Sequence, residues 1–172
     1  MIAVIGGQGS GKSAKAEEIA LRTGLKPYYL ATMKVCDEAG SRRVKKHRLM
    51  RKDKGFVTIE IPYRIEEATK YMDDPGNCVV LLECVANLVG NAMHEDEWYE
   101  PLMTDEENMT DRFAGHVLAM ISELDDKVGV LVVVSSEYEP DEDDDNETAL
   151  YKRLLKAVND RIVVMVRGRS RE

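Results

Sequence analysis

The sequence predicts a single α/β domain with a mainly parallel sheet and helices on both of its faces. Short apolar runs alternate with segments of helical periodicity along the 172 residues. A glycine-rich motif stands between the first apolar run and the first helical segment. The length suits one domain with a full core, so residues 1–172 are treated as one unit. Strands that alternate with helices imply right-handed crossovers and a buried parallel sheet.

The first elements alternate from the start of the chain. Residues 2–5 are a β-branched run, which predicts a buried strand. Residues 12–23 are rich in alanine and glutamate and stop before Gly24, so we expect a helix there. Residues 27–31 predict the second strand, and the basic residues 42–51 a helix.

The middle of the chain continues this alternation. Residues 57–61 alternate in polarity and meet a proline, so we expect an edge strand. A short helix is predicted at 65–72. The unbroken apolar run 78–82 is typical of a central parallel strand. Residues 85–93 are expected to be helical, and the polar, acidic residues 94–109 to form a loop.

The last third ends in a predicted strand. Apolar residues at helical spacing indicate an amphipathic helix over 112–124, and the valine-rich run 128–134 a strand. The acidic stretch 141–147 is expected to be a mobile loop. Residues 148–158 predict a helix, and the β-branched residues 162–166 a final strand.

Composition excludes several classes of protein. The net charge of −8 argues against general binding to nucleic acid or to a membrane surface. No apolar run approaches the roughly 20 residues that span a bilayer, and the first residues lack the basic leader of a signal peptide. The three cysteines have no metal-binding spacing, which favours reduced thiols. We therefore expect a cytoplasmic protein.

The glycine-rich motif is the strongest chemical signal. It matches G-x-x-x-x-G-K-[ST], the P-loop pattern, and predicts a P-loop NTPase-like fold that binds a nucleoside triphosphate. Lys12 is expected to reach the β- and γ-phosphates, and the Ser13 hydroxyl to ligate Mg²⁺. The backbone N–H groups of the preceding residues would cradle the phosphates; these residues are Gly6, Gly7, Gln8, Gly9, Ser10 and Gly11.

Glu83 is the second candidate for the metal site. It ends the apolar run 78–82, at the carboxyl edge of the predicted sheet, where a P-loop fold places the carboxylate that organises Mg²⁺. A plain acid that terminates a strand is the alternative. Together with the P-loop, the position predicts that Glu83 shares the metal with Ser13.

The basic segment 41–54 contains a candidate nucleophile. On a helix, Arg43 and His47 would share one face, and Arg48 follows directly. Neighbouring cations disfavour the charged form of a histidine, so His47 would stay neutral and nucleophilic near pH 7. The cations would hold a triphosphate for attack at phosphorus. From the spacing alone, a solvated basic helix with an incidental histidine is the favoured interpretation.

Several segments together resemble the cobinamide kinase/cobinamide-phosphate guanylyltransferase family of cobalamin biosynthesis. The similarity covers roughly residues 1–93 and resumes at 130–137. The resemblance is carried by Ile5–Ser13, Tyr29-Leu-Ala-Thr32, Arg43-Val-Lys-Lys-His47-Arg48, Val80-Leu-Leu-Glu-Cys84 with Asn91 downstream, and Val134-Ser-Ser-Glu137.

The resemblance implies a bifunctional enzyme that uses GTP or ATP with Mg²⁺. Such an enzyme phosphorylates the hydroxyl of adenosylcobinamide, then transfers GMP from GTP to the cobinamide phosphate through a guanylylated histidine. His47 falls at the position of that histidine, Lys12 and Ser13 at the P-loop residues, and Glu83 at the acid after the fourth strand. The resemblance also implies assembly of several copies of the chain.

One region departs from the family pattern. After Glu137 the family continues with a glycine-containing segment and an R-x-F-R-D stretch, whereas this chain continues with Tyr138 and an acidic run. Only Asn159-Asp160 is similar to the family's N-Q. Two alternatives therefore stand beside the transferase: a P-loop kinase for another small molecule, and a non-catalytic nucleotide-binding paralogue.

Overall fold

The structure, a computed structural model, describes residues 1–34 and 54–169 of the chain. Its strands are β1 (Ile2–Gly6), β2 (Lys26–Ala31), β3 (Val57–Glu60), β4 (Cys78–Glu83) and β5 (Val130–Ser136). Its α-helices are α1 (Lys12–Arg22), α2 (Val85–Met93), α3 (Tyr99–Thr104), α4 (Glu106–Lys127) and α5 (Asn146–Arg169). Two 3₁₀-helices, Ile65–Tyr71 and Pro75–Asn77, lie between β3 and β4.

The five strands form one parallel sheet in the order β1-β5-β4-β2-β3. This arrangement confirms the predicted α/β class, and β3 lies at an edge as its alternation predicted. β5 lies between β1 and β4, so the strand before the glycine-rich motif and the strand that ends at Glu83 are not neighbours. All carboxyl ends meet at one edge of the sheet because every strand runs in the same direction.

Helices cover both faces of the sheet, as predicted. Val80 and Leu82 of β4 face a large core formed with helices α2 to α5. Val79 and Leu81, which alternate with them, face a smaller core that includes Ala16 of α1. Both faces of β4 are therefore buried, which explains why its sequence is an unbroken apolar run rather than an alternating one.

The predicted final strand at 162–166 is wrong, because α5 continues through it to Arg169. Buried side chains recur at helical spacing as far as Ile162, and Lys156 forms an ion pair with Asp160 one turn later. Residues 159–160 contain neither glycine nor proline, so nothing interrupts the helix. Burial of this face outweighed the β-propensity of the valines.

The predicted loop at 94–109 is also wrong in part, because it contains α3 and the first turn of α4. Trp98 and Leu102 are buried against the large core, and this packing stabilises helical turns in an otherwise polar segment. Glu106 and Glu107 lie in the first turn of α4, where the helix dipole favours acids.

The remaining predictions have mixed outcomes. The short helix predicted at 65–72 is a 3₁₀-helix, and the acidic stretch is irregular only as far as Asp145, after which α5 begins. The helix predicted at 42–51 lies outside the described residues. Within the described ranges, none of the helices is long and apolar enough to cross a membrane.

Candidate functional site

The glycine-rich loop, residues 6–13, joins β1 to α1 at the carboxyl edge of the sheet. Gly9 and Gly11 adopt positive φ angles of 75° and 77°, which residues with a Cβ rarely adopt. These turns bring the loop round to the first turn of α1, whose free N–H groups point to the space that the loop encloses. The Lys12 Nζ donates a hydrogen bond to the Gly7 carbonyl oxygen, 3.0 Å away, so its ammonium lies across the loop.

Ser13 and Glu83 meet at this loop. The Ser13 Oγ donates a hydrogen bond of 2.6 Å to the Glu83 Oε1. The two residues meet although β5 lies between β1, which precedes the glycine-rich loop, and β4, which ends at Glu83. Ser13 reaches across because it lies on α1, which packs over β5 and β4. The sequence predicted that these two side chains share a metal ion; the structure places them in direct contact.

Thr32 fixes the end of the strand that carries Glu83. Its side chain is fully buried, and its Oγ1 accepts a hydrogen bond from the Cys84 N–H and donates one to the Cys84 carbonyl, both at 2.8 Å. The Thr32 N–H donates to the Glu83 carbonyl oxygen at 3.2 Å. The carboxyl ends of β2 and β4 are thereby tied together on either side of the Glu83 side chain.

Asn91 extends this connection to a third strand. Its Nδ2 donates to the Thr32 carbonyl at 2.7 Å and to the Pro62 carbonyl at 2.8 Å. Pro62 follows β3, so one amide on α2 joins the ends of β2 and β3. These are the two strands between which residues 35–53 are inserted.

The end of β5 lies beside the glycine-rich loop. Ser136 pairs with Gly6 in the sheet, and the Glu137 N–H donates to the Gly6 carbonyl oxygen at 3.1 Å. Asn159 of α5 makes two hydrogen bonds to this end of β5. It accepts one of 2.6 Å from the Ser135 hydroxyl and donates one of 2.9 Å to the Ser136 carbonyl. The position of Glu137 is therefore fixed by backbone contacts on both sides.

Cys84 lies within this site as a neutral thiol. Burial raises its pKa, with a smaller contribution from the negative charge of Glu83. A thiol whose pKa is raised stays protonated near neutral pH, which suits a packing role rather than nucleophilic attack.

The predicted site residues fall into two groups. Residues 6–13 and Glu83 come together at the carboxyl edge of the sheet, whereas Arg43, His47 and Arg48 lie outside the described residues. The two ends of the segment that contains them lie at different heights of the parallel sheet, because β2 ends at the carboxyl edge and β3 begins on its amino side. The start of the segment follows Thr32, and after it Lys54 forms an ion pair with Glu17 on α1.

Sequence reasoning missed the supporting polar residues Thr32, Asn91 and Asn159 as members of the site. Thr32 and Asn91 were noticed only as parts of a resemblance, and Asn159 only as an echo of it. The available signal was chemical: a threonine directly after an apolar strand and an asparagine inside an apolar helix both need buried partners.

Comparisons with known proteins show which family this chain resembles. The family model described as "Cobinamide kinase / cobinamide phosphate guanyltransferase" matches residues 2–170. The chain is 28% identical over 134 residues to the bifunctional adenosylcobalamin biosynthesis protein CobP of Pseudomonas aeruginosa, covering 78% of this chain and 69% of that protein. It is 34% identical over 105 residues to the bifunctional adenosylcobalamin biosynthesis protein CobU of Escherichia coli, covering 57% of this chain and 56% of that relative.

Proposed function

The chain belongs to the cobinamide kinase / cobinamide phosphate guanyltransferase family and is a kinase and guanylyltransferase of cobalamin biosynthesis, and we propose how its residues divide the two reactions. The observation that carries the proposal is the 2.6 Å hydrogen bond between Ser13 and Glu83 beside the glycine-rich loop. It joins a hydroxyl, a carboxylate and a phosphate-binding backbone within one site.

In the kinase reaction, the glycine-rich loop and Lys12 hold the triphosphate. The hydroxyl oxygen of the acceptor attacks the γ-phosphorus, the bond from that phosphorus to the β–γ bridging oxygen breaks, and the nucleoside diphosphate leaves with one proton released. The protein contributes mainly position and positive charge, which is what phosphoryl transfer requires. Lys12 exchanges its contact with Gly7 for the phosphate oxygens when the nucleotide binds.

The oxygen donors present fit Mg²⁺. Ser13 and Glu83 supply a hydroxyl and a carboxylate, the hard ligands this ion prefers, and nucleotide phosphates usually complete its coordination. Ser13 and Glu83 would hold the ion, which neutralises charge on the phosphates when bound. No cluster of three or more His, Cys, Asp or Glu side chains with metal-binding geometry occurs in residues 1–34 and 54–169.

In the guanylyl reaction, His47 is the carrier. Its ring nitrogen attacks the α-phosphorus of GTP, a P–N bond forms, and pyrophosphate leaves. A phosphate oxygen of the cobinamide phosphate then attacks the same phosphorus, which breaks the P–N bond and restores the histidine. Arg43 and Arg48 would offset the negative charge on the phosphates. The support for this assignment is the family resemblance of the segment Arg43–Arg48 and its start just after Thr32, which bonds to Cys84 at the carboxyl edge of the sheet.

The carrier is tested by intact-mass analysis after incubation with Mg²⁺ and GTP. We expect an acid-labile adduct of one GMP on the natural protein and none on His47→Asn. His94→Asn is the matched control, because His94 is exposed and lies outside the site, and it should keep the adduct. A His47→Asn protein that still gains GMP would overturn the carrier assignment.

We also propose the setting of the enzyme. Both substrates of the first reaction, a nucleoside triphosphate and a cobinamide, are small molecules, and GTP serves the second reaction. The charge of −8 fits a cytoplasmic protein that does not bind nucleic acid. Assembly into a homo-oligomer is expected from the family resemblance and is tested by light scattering.

A further inference from the structure

A cavity of about 640 Å³ opens between α5 and the loop that follows β5. We call residues 137–145 the acidic loop. Glu137 and Tyr138 line the cavity from the loop, and Ala149, Lys152 and Asn159 line it from α5. Among the described residues, none with a catalytic or nucleotide-binding role assigned above lines this space.

The cavity adjoins the carboxyl end of β5, which lies beside the glycine-rich loop. On one side, the Glu137 N–H bonds to Gly6, the first residue of the glycine-rich loop. On the other, the Tyr138 ring lies 6.2 Å from the Tyr151 ring, and the Tyr151 hydroxyl donates to the Ala86 carbonyl at 3.1 Å, just after the end of β4. A molecule in the cavity would therefore lie beside the carboxyl end of β5, next to the first residue of the glycine-rich loop.

The wall of the cavity is held in place by an ion pair and hydrogen bonds between the acidic loop and α5. The Lys152 Nζ forms an ion pair of 2.6 Å with Asp144 and donates to the Glu139 carbonyl at 2.9 Å. The side chains of this pair are only 17% and 11% exposed. Within the loop, the Asp141 N–H bonds to Asp144 at 3.0 Å. Asp144 of the acidic loop is therefore paired with Lys152 of α5, and this pairing fixes the position of the loop against the helix.

The charge and the aromatic lining indicate which ligand the cavity suits. Five acidic residues and three basic ones line it: Glu137, Glu139, Asp141, Asp144 and Asp160 against Lys152, Arg153 and Lys156. Each of the three cations already pairs with a carboxylate. The lining is thus net negative and would repel a triphosphate, whereas exposed Tyr138 offers a flat apolar face to a cationic macrocycle.

We propose that this cavity binds the acceptor of the kinase reaction, a cationic, amide-bearing alcohol of the cobinamide class. The proposal rests on the proposed function, because the acceptor's chemistry comes from it. Carboxylates and backbone carbonyls of the acidic loop accept hydrogen bonds from amide N–H groups at the rim of the acceptor, and Tyr138 packs against its ring. The alcohol points toward Gly6 and the bound triphosphate.

The steric test fills the cavity. Ala149→Phe places a ring in it, and we expect the dissociation constant of cobinamide, followed by its absorbance, and its KM in the kinase assay to rise by at least about tenfold. Formation of the GMP adduct on the protein should not change, because it needs no acceptor. Val164→Phe adds a similar ring at an exposed position of the same helix and is the control.

The charge test uses two substitutions in the same loop. Glu137→Gln should weaken cobinamide binding by about two- to fivefold, whereas Glu142→Gln, which is outside the cavity lining, should not. If the natural protein phosphorylates cobinamide and neither Ala149→Phe nor Glu137→Gln changes its KM, the cavity is not the acceptor site and the proposed function stands. A natural protein that takes GMP but neither binds nor phosphorylates cobinamide would overturn both.

Discussion

Thr32 shows how one buried side chain supports the candidate site through hydrogen bonds to the backbone. Its hydroxyl bonds to both the N–H and the carbonyl of Cys84, the residue after Glu83, and its own carbonyl accepts from Asn91. The backbone next to Glu83 is therefore held by the fully buried Thr32 and the partly buried Asn91. Small displacements at such a position are costly for catalysis, which depends on sub-ångström placement.

Thr32→Val keeps the shape of the side chain and removes its hydroxyl. The Cys84 N–H then loses its buried partner, and we expect the free energy of unfolding to fall by about 1–3 kcal/mol. The kcat of the kinase reaction should fall more than the KM for nucleotide changes, because Glu83 shifts while the glycine-rich loop remains. Thr32→Ser, which keeps the hydroxyl, should restore most of kcat. Equal loss of kcat in the serine and valine proteins would contradict this role.

The residues of the site that the sequence predicted are those whose chemistry is local. Lys12 and Ser13 belong to a contiguous motif, and Glu83 directly ends a recognisable strand. Thr32, Asn91 and Asn159 act through backbone groups that are distant in the chain. Their partners become apparent only once the strands are side by side, so no pattern in one sequence indicates them.

At the scale of elements, α5 shows why the last prediction failed. Residues 162–166 are rich in valine, and β-branched residues favour strands when considered alone. In the molecule, Leu154, Leu155, Val158 and Ile162 are buried along one side of a single helix. Arg161 also bonds to Asp111 on α4. Contacts with the neighbouring helix, which a local pattern does not contain, decide the outcome.

The start of α5 depends on a charged cap. The Asp145 Oδ1 accepts a 2.7 Å hydrogen bond from the Thr148 N–H, a free donor of the first turn. This bond lowers the pKa of Asp145. A carboxyl whose pKa is lower in the folded state contributes stability above its unfolded pKa of about 3.9, and this contribution is lost as pH falls through the folded pKa.

Asp145→Ala is therefore expected to lower Tm at neutral pH. The difference from the natural protein should shrink as the buffer is taken from about pH 7 to about pH 3. Asp145→Asn keeps a capping oxygen without a titrating group, so its Tm should lie between the other two at neutral pH. Thermal melts followed by circular dichroism measure all three proteins. A difference that is constant across this pH range would contradict the charged cap.

At the scale of the whole molecule, the amino edge of the sheet is closed by a tight backbone contact. Gly129 lies between α4 and β5, and its N–H donates to the Pro75 carbonyl at 3.1 Å. A Cβ added to Gly129 would lie 2.5 Å from the Gly76 carbonyl oxygen and 3.0 Å from that of Cys78. Only a glycine lets these chain segments approach so closely.

Gly129→Ala should accordingly destabilise the whole domain, by about 1–3 kcal/mol in the free energy of unfolding. Gly76→Ala, in the facing segment, is the matched control because an added Cβ there has no neighbour within 4 Å. Urea denaturation measures both proteins. Equal urea midpoints for the two variants would contradict this prediction, because they would show that the backbone accommodates the added Cβ with no loss of stability.

The overall class was predictable because it follows from alternation along the chain. An unbroken apolar β4 and the motif at residues 6–13 required a buried parallel strand and a strand–loop–helix unit. The order of the strands was not predictable. The insertion of β5 between β1 and β4 depends on which buried faces complement each other across distant parts of the chain, a property of the assembled sheet.

That strand order has a consequence for how the chain reaches its folded state. In the described sheet, β1 pairs only with β5. Ile2 can therefore enter the sheet only after Val132, its partner on β5, has been made. During synthesis, which delivers the chain from its first residue onward, β2 and β4 can pair long before β1 has a neighbour. The glycine-rich loop that follows β1 is thus made well before β5, the strand that holds β1 in the sheet. Closing so long a loop is entropically unfavourable, and we expect folding to be slow for a domain of this size.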